Sequence, residues 1–183
     1  IIEDTLKKSE IFWYQPIEGL PKRFDTVPGS NWVFRSNQPT EEQLVRILST
    51  YDIRKIIRMN GEEGTGVTPA EEKEIADRFS VDYIWVNAHI GYEQGKGYIG
   101  SLDEIQPHLD SGHVLIHCTA GADRTGYQVA RYLQRNFNWS KDSLWNYTIK
   151  YNNWETFIGR GQSGYIKYME AFYPYDEWKQ NHK

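Results

Sequence analysis

Short apolar segments alternate with segments of helical period along most of the chain, and this alternation restricts its fold more than any other feature. The predicted strands cover residues 32–34, 53–59, 82–87 and 114–117. The predicted helices cover residues 40–51, a segment that begins at 68, and residues 102–109, 125–137 and 140–151. Strands that alternate with helices form parallel sheets, because each helix carries the chain back to the edge where the next strand starts. The sequence therefore predicts an α/β fold with a small, mostly parallel central sheet flanked by helices.

Local capping signals specify two of the helix starts. Thr40 and Gln43 have the spacing of a capping box, in which each side chain binds the backbone N–H of the other residue. Thr68 is followed by Pro69, and a threonine N-cap with proline at the first helical position is a common start. Both helices are thus placed on the chain before any packing is considered.

Length and turn residues predict the domain organisation. The chain has 183 residues without internal repeats, which predicts a single domain over residues 1–183. Residues 1–30 contain several Pro and Gly turn signals and are predicted to form an irregular arm. Aromatic side chains in this arm are expected to hold it against the body of the domain.

Charge, hydropathy and the single cysteine exclude several functional classes. Asp and Glu outnumber Lys and Arg by 25 to 21, and a net charge of −4 argues against nucleic-acid binding. No apolar run approaches the roughly 18 residues that cross a bilayer, so membrane insertion is not expected. One cysteine cannot form an internal disulfide or a cysteine-based zinc site. We expect a soluble monomer, either cytoplasmic or processed and secreted or periplasmic, that needs no metal ion or cofactor.

The segment HCTAGADRTG, residues 117–126, lies between a predicted strand and a predicted helix. Its backbone N–H groups are expected to curl around one centre and, with the helix N-terminus, to form an anion cradle. Gly121 lets the backbone approach a ligand closely, and the planar guanidinium of Arg124 can bind two oxygens of a phosphate group. The predicted phosphate loop comprises Thr119, Ala120, Gly121, Ala122, Asp123 and Arg124.

The electric field that binds an anion in such a loop also stabilises a thiolate. Cys118 would then be anionic at neutral pH and could attack phosphorus in line, which would form a phosphocysteine intermediate. Thr125 can donate its hydroxyl to the sulfur and help it leave in the second step. Arg124 and the loop amides would hold the phosphoryl oxygens, and His117 is predicted to orient the cysteine backbone without acting as a base.

HCTAGADRTG resembles the signature loop of the cysteine-dependent protein tyrosine and dual-specificity phosphatase superfamily. Upstream, RFDTVPGSNWVFRSNQPTEEQL and the strand IRKIIRMNGEE resemble the N-terminal half of small bacterial dual-specificity-like phosphatases. The resemblance extends from about Arg23 to Trp145 and implies a protein tyrosine phosphatase-like fold. It also implies that Cys118 is the nucleophile and Arg124 the phosphate-binding arginine.

The general acid that protonates the leaving group departs from the pattern of this family. An aspartate about thirty residues before the cysteine often has this role, but VNAHIGYEQGKG, residues 86–97, contains no Asp. Some branches carry an aspartate just before the signature arginine, which makes Asp123 the first candidate here. Glu93 and His89 are the alternatives.

Two segments that follow predicted strands are expected to have supporting roles. Arg35 and Ser36, in RSNQP, are predicted to be structural, and Ser36 and Asn37 could start a turn before Pro39 and the helix at Thr40. Residues 60–64 end a strand at the expected edge of the site and could shape its rim.

Three functions remain open from the sequence. The first is a metal-free phosphomonoesterase that acts on phosphotyrosine or, with dual specificity, on other phosphorylated protein residues or small phosphoesters. The second is a phosphoinositide or inositol phosphate phosphatase; inositide-selective relatives often have lysine inside the loop, where this chain has Ala122. The third is a catalytically silent phosphate-binding module.

Overall fold

The computed structural model describes residues 14–62, 66–87 and 104–151. Within these residues the chain forms one sheet of five strands with the order β1-β2-β5-β3-β4. The strands are β1 (Asp25–Thr26), β2 (Val33–Ser36), β3 (Lys55–Arg58), β4 (Asp82–Trp85) and β5 (Val114–His117). β1 pairs with β2 in antiparallel fashion and the other pairs are parallel, so the predicted α/β class is confirmed.

Helices cover both faces of this sheet. They are α1 (Glu41–Thr50), α2 (Pro69–Arg78), α3 (which includes residues 104–110), α4 (Asp123–Phe137) and α5 (Lys141–Lys150). The predicted capping box of Thr40 and Gln43 is present, and Thr68 caps α2 with Pro69 in its first turn. None of the helices in the described ranges has both the length and the apolar character that a bilayer crossing requires.

Alternate residues of the strands supply two hydrophobic cores. Phe34, Ile56 and Leu115 face one side and pack with buried residues of α1 and α2. Val33, Ile57, Val114 and Ile116 face the other side and pack with buried residues of α3, α4 and α5. β5, at the centre of the sheet, is fully buried, which explains its apolar run Val114, Leu115 and Ile116.

Several elements differ from their predicted bounds. β3 covers only Lys55–Arg58 of the predicted 53–59, and β4 ends at Trp85, two residues before the predicted end. β2 continues to Ser36, two residues beyond the predicted strand end, and α4 begins at Asp123 instead of Thr125. The arm predicted to be irregular contributes β1, because Asp25 and Thr26 pair with Arg35 and Phe34 of β2. Residues 1–13 of that arm lie outside the described ranges.

Candidate active site

The residues of the predicted site meet at one edge of the sheet. β2, β3, β4 and β5 run in parallel, so their carboxyl ends lie together, and ligands of such sheets bind at that edge. β5 lies between β2 and β3, with Ser36, His117 and Arg58 paired at the same level. The loop that follows β5 is therefore flanked by the ends of β2 and β3.

Cys118 follows β5 directly and is buried, with 2% of its surface exposed. Thr125, in the first turn of α4, donates its hydroxyl to the cysteine, with 3.1 Å between Oγ1 and Sγ. Such a donor stabilises a sulfur that carries negative charge, both before nucleophilic attack and when the sulfur departs. The structure thus brings together the predicted nucleophile and the predicted hydroxyl donor.

The carbonyl oxygens of three consecutive loop residues, 119–121, are bound from outside the loop. These bonds run from Gln38 N to Thr119 O (3.1 Å), from Arg23 Nη1 to Ala120 O (2.9 Å) and from Arg35 Nη2 to Gly121 O (2.7 Å). In a planar trans peptide the N–H points away from the carbonyl oxygen. The N–H groups of residues 120–122 therefore turn toward the inside of the loop, as an anion cradle requires.

Gly121 is the residue at which this loop could not carry a side chain. Its φ is +70°, in the left-handed region that favours glycine. A Cβ at this position would lie 2.5 Å from Asn37 N and 2.6 Å from Ser36 O. The loop thus passes so close to the end of β2 that only glycine fits.

Helix α4 starts where the loop ends, with Ala122 as its N-cap residue. Alanine offers no side-chain oxygen to the first N–H groups of the helix, and no side-chain cap is formed. The N-terminus of a helix carries a partial positive charge and binds anions readily. The helix start therefore adds to the field of the loop amides.

Arg124 is held at both sides of the loop. Its Nη1 donates to Met59 O at the end of β3 (3.1 Å), and its Nη2 donates to Thr119 Oγ1 (3.2 Å). Because the side chain is only partly buried, the guanidinium lies between the protein interior and solvent. This position is suitable for binding an incoming phosphate group.

A buried ionic cluster anchors the strand that carries the cysteine. His117 Nε2 lies 2.6 Å from Glu72 Oε1, and Arg58 Nη1 lies 2.9 Å from Glu72 Oε2. Tyr83 donates its hydroxyl to the same carboxylate at 3.2 Å. Burial alone would raise the pKa of Glu72, but His117 and Arg58 outweigh it and hold that pKa below its usual value. His117 thus fixes the end of β5 against α2.

Arg58 and Trp85 organise the predicted rim beyond β3. Arg58 donates to the carbonyl oxygens of Asn60, Gly61 and Val67. Trp85, at the end of β4, donates from Nε1 to Asn60 O (2.9 Å) while 44% of its surface is exposed. The rim next to the loop therefore presents an aromatic surface to solvent. Residues 63 and 64 of the predicted rim lie outside the described part of the chain.

The predicted general acids are not tested by these contacts. The backbone of Asp123 begins α4, but its side chain is outside the described part of the structure, as are Glu93 and His89 entirely. Among the residues that the structure does describe, no three His, Cys, Asp or Glu side chains form a group that could hold a metal ion.

Sequence reasoning missed the two arginines that bind the loop carbonyls. The sequence predicts no role for Arg23 and only a structural one for Arg35, without a partner. The structure places Arg35 on β2, fully buried and in contact with Gly121. A signal was available, because Arg35 directly follows a predicted strand, and an arginine at a buried strand position requires a partner for its charge.

The mostly parallel sheet, with a cysteine-containing loop between its central strand β5 and helix α4, is the arrangement of one known class of phosphatase folds. The chain has the fold of the cysteine-dependent tyrosine and dual-specificity phosphatases, as its resemblance to that superfamily implied. The sequence itself matches no protein-family model and no curated protein.

Three solved structures illustrate the likeness. The core catalytic domain of the PP-IP phosphatase Siw14 from S. cerevisiae is similar with a TM-score of 0.62, 17% identity, and coverage of 84% of this chain and 85% of that one. TpbA of P. aeruginosa, solved in complex with phosphotyrosine, gives a TM-score of 0.59 at 17% identity over 83% and 87% of the chains. Tk-PTP in its active form gives 0.56 at 18% identity over 85% and 97%.

Proposed function

We propose that this protein is a metal-free phosphomonoester hydrolase that acts through a phosphocysteine intermediate. The observation that carries this proposal is the 3.1 Å hydrogen bond from the Thr125 hydroxyl to Cys118 Sγ, inside a loop whose carbonyls are held outward. This arrangement favours a nucleophilic sulfur and a bound oxyanion at the same place. A buried structural cysteine would need neither the hydroxyl donor nor the outward carbonyls.

The reaction then has two steps. In the first, the thiolate of Cys118 attacks phosphorus, an S–P bond forms, and the bond between phosphorus and the ester oxygen breaks as that oxygen takes up a proton. In the second, water attacks phosphorus, the S–P bond breaks, and phosphate and the thiolate are released. Thr125 donates to the sulfur as it leaves, and Arg124 and the loop amides bind the phosphoryl oxygens in both steps.

Cys118→Ser tests the nucleophile in the simplest way. We expect the variant to lose hydrolysis of para-nitrophenyl phosphate in the presence of a chelator, while its thermal unfolding temperature and its binding of inorganic phosphate stay close to those of the parent. Serine is nearly the same size, but its hydroxyl is not ionised by such a field at neutral pH. Parent-like turnover by this variant would contradict the covalent mechanism.

Asp123 is proposed as the general acid that protonates the leaving oxygen. Asp123→Asn should lose rate and also the basic limb of the pH–rate profile, because a carboxylic acid that must be protonated stops working as pH rises. Asp77→Asn is the matched control, since Asp77 is an exposed partner of Lys73 on α2. If Asp123→Asn keeps the parent profile, the acid lies elsewhere and Glu93→Gln and His89→Gln are the next variants.

Phosphotyrosine and related phosphoprotein residues are the proposed substrate class. The loop residues between Cys118 and Arg124 include no lysine, and the net charge is −4, which disfavours polyanionic ligands. The exposed ring of Trp85 at the rim offers a stacking surface for an aryl leaving group.

Hydrolysis of inositol phosphates is the second candidate, favoured by the structural likeness to the PP-IP phosphatase Siw14. A panel of phosphotyrosine, phosphothreonine, inositol phosphate and inositol pyrophosphate substrates separates the two, with kcat/KM compared across the panel. Phosphotyrosine should be the best substrate, and a preference for the inositol compounds would overturn that part of the proposal. A parent that binds phosphate but hydrolyses none of them would be a silent phosphate-binding module.

A further inference from the structure

Two arginines that take no part in the proposed reaction bind the phosphate loop from behind. Arg35 on β2 is fully buried and donates to Gly121 O, and Arg23 in the N-terminal arm is half-buried and donates to Ala120 O. They lie 86 and 97 residues before the loop residues that they contact. Two distant parts of the chain thus place a cation on successive loop carbonyls.

Both arginines are held by Tyr151, which directly follows α5. Arg23 Nε donates to the carbonyl oxygen of Tyr151, and Arg35 Cζ lies 3.7 Å above the centre of the Tyr151 ring. A cation over an aromatic face and a cation at a helix C-terminus are both favourable arrangements. Tyr151 in turn donates its hydroxyl to Asp25 Oδ2 at 2.8 Å. Tyr151 therefore fixes the directions from which the two guanidinium groups approach the loop.

The burial of Arg35 is the strongest indication that its contact with the loop has a functional role. A charged side chain is rarely placed at a fully buried strand position, because removing its hydration is costly. Neighbouring β2 residues Val33 and Phe34 are apolar core residues. The guanidinium of Arg35 instead gives Gly121 O a strong hydrogen-bond donor, on the side of the loop away from the proposed anion site.

We propose that Arg23 and Arg35 are positioning residues, which hold the carbonyls of Ala120 and Gly121 outward so that the following N–H groups face the bound oxyanion. Without these donors the two peptide units can rotate, and a carbonyl oxygen that turned inward would repel phosphate. The consequence for catalysis rests on the proposed function. The consequence for anion binding does not, since it follows from the orientation of the peptides alone.

The single cysteine of the chain gives a readout of anion binding that does not depend on turnover. Iodoacetamide can alkylate no thiol other than Cys118, and inorganic phosphate bound in the loop should protect that thiol. The phosphate concentration that halves the alkylation rate measures the affinity of the loop.

Arg23→Gln is the main variant, because Arg23 is half-buried and its loss should leave the fold intact. Arg78→Gln is the matched control; it removes the same charge from the exposed side of α2, where Arg78 pairs with Glu41. We expect the half-protecting phosphate concentration to rise roughly tenfold or more in Arg23→Gln, as loss of one charge-assisted hydrogen bond implies. It should stay at the parent value in Arg78→Gln, with both variants melting within a few degrees of the parent.

Arg23→Lys distinguishes hydrogen bonding from general charge. An ammonium group can reach one carbonyl but cannot bind Ala120 O and Tyr151 O together as a guanidinium does. The half-protecting phosphate concentration of Arg23→Lys is expected to lie between those of the parent and of Arg23→Gln. If the half-protecting phosphate concentration is the same in Arg23→Gln and Arg78→Gln, the inference is wrong.

The same proteins assayed with para-nitrophenyl phosphate separate this inference from the proposed function. In one outcome, phosphate protects Cys118 of the parent, Arg23→Gln weakens that protection, and the parent hydrolyses no phosphoester. This outcome would contradict the proposed function and support the positioning role. In the opposite outcome, the parent hydrolyses phosphoesters and phosphate protects Arg23→Gln as well as it protects the parent. This outcome would support the proposed function and contradict the positioning role.

Discussion

Gly121→Ala is the substitution for which the structure gives the most definite expectation. Alanine at φ +70° costs about 1–2 kcal/mol because its Cβ crowds the carbonyl oxygen in the left-handed region. The new Cβ would also lie 2.5 Å from Asn37 N, and that backbone is fixed because Asn37 N donates to Lys22 O at 2.9 Å. Overpacking of this kind costs about 1–3 kcal/mol, which gives a total loss of roughly 2–5 kcal/mol in the free energy of unfolding.

The effect on activity should be larger than the effect on stability. To restore an ordinary contact, the loop must move away from β2 by about 1 Å, and a displacement of that size in a catalytic group costs about a hundredfold in rate. Urea denaturation measures the first effect, and hydrolysis of para-nitrophenyl phosphate measures kcat/KM.

Gly29→Ala is the matched control for this substitution. Gly29 has φ +71°, but of the atoms in the described ranges a Cβ there would meet only Phe137 Cε1 and Cδ1, at 3.8 and 4.0 Å. It should therefore lose about 1–2 kcal/mol of stability for its backbone conformation and keep its activity. If Gly121→Ala is no less stable than Gly29→Ala and hydrolyses phosphoesters at the parent rate, the close approach of loop and β2 does not exist in solution.

Two further predictions concern the charges around the loop. Arg124→Lys should reduce kcat/KM about a hundredfold or more, because an ammonium cannot bind two phosphoryl oxygens in one plane; a loss below tenfold in steady-state kinetics would contradict that role. Glu72→Gln should lower the free energy of unfolding at pH 7 by about 3–5 kcal/mol, since it leaves Arg58 and His117 buried without their carboxylate. The folded-state pKa of Glu72 is below its usual value of 4.5, so its contribution is complete above that pH and is lost as pH falls further. The stability difference between parent and Glu72→Gln, measured by urea denaturation, should therefore shrink below about pH 4.5, and a difference that stays constant down to pH 3 would rule out the ionised pair.

Contacts between residues that are close together in the sequence could be predicted, both in the fold and in the site. Thr40 and Thr68 cap their helices through residues three positions away, and the contact of Thr125 with Cys118 spans seven residues across a strand, loop and helix. Such contacts form wherever the local backbone adopts its preferred conformation, so the spacing of residues was enough to infer them.

The roles of Arg23, Arg35 and Glu72 could not be predicted in this way. Glu72 reads as a favourable acidic residue in the first turn of α2, and only the packing of that helix on β5 places it against His117. Arg35 is next to Ser36 in a segment with clear turn signals, which favoured a local role.

The sequence by itself determined the alternation of strands and helices, the starts of α1 and α2, and the strand–loop–helix segment that holds Cys118 and Arg124. The tertiary structure decided that β5 lies between β2 and β3, so that Arg35 and Gln38 reach the loop on one side and Met59 reaches Arg124 on the other. Strand order depends on the side-chain packing of whole helices against both faces of the sheet. No local spacing records that packing, because the residues that it brings together are separated by tens of positions along the chain.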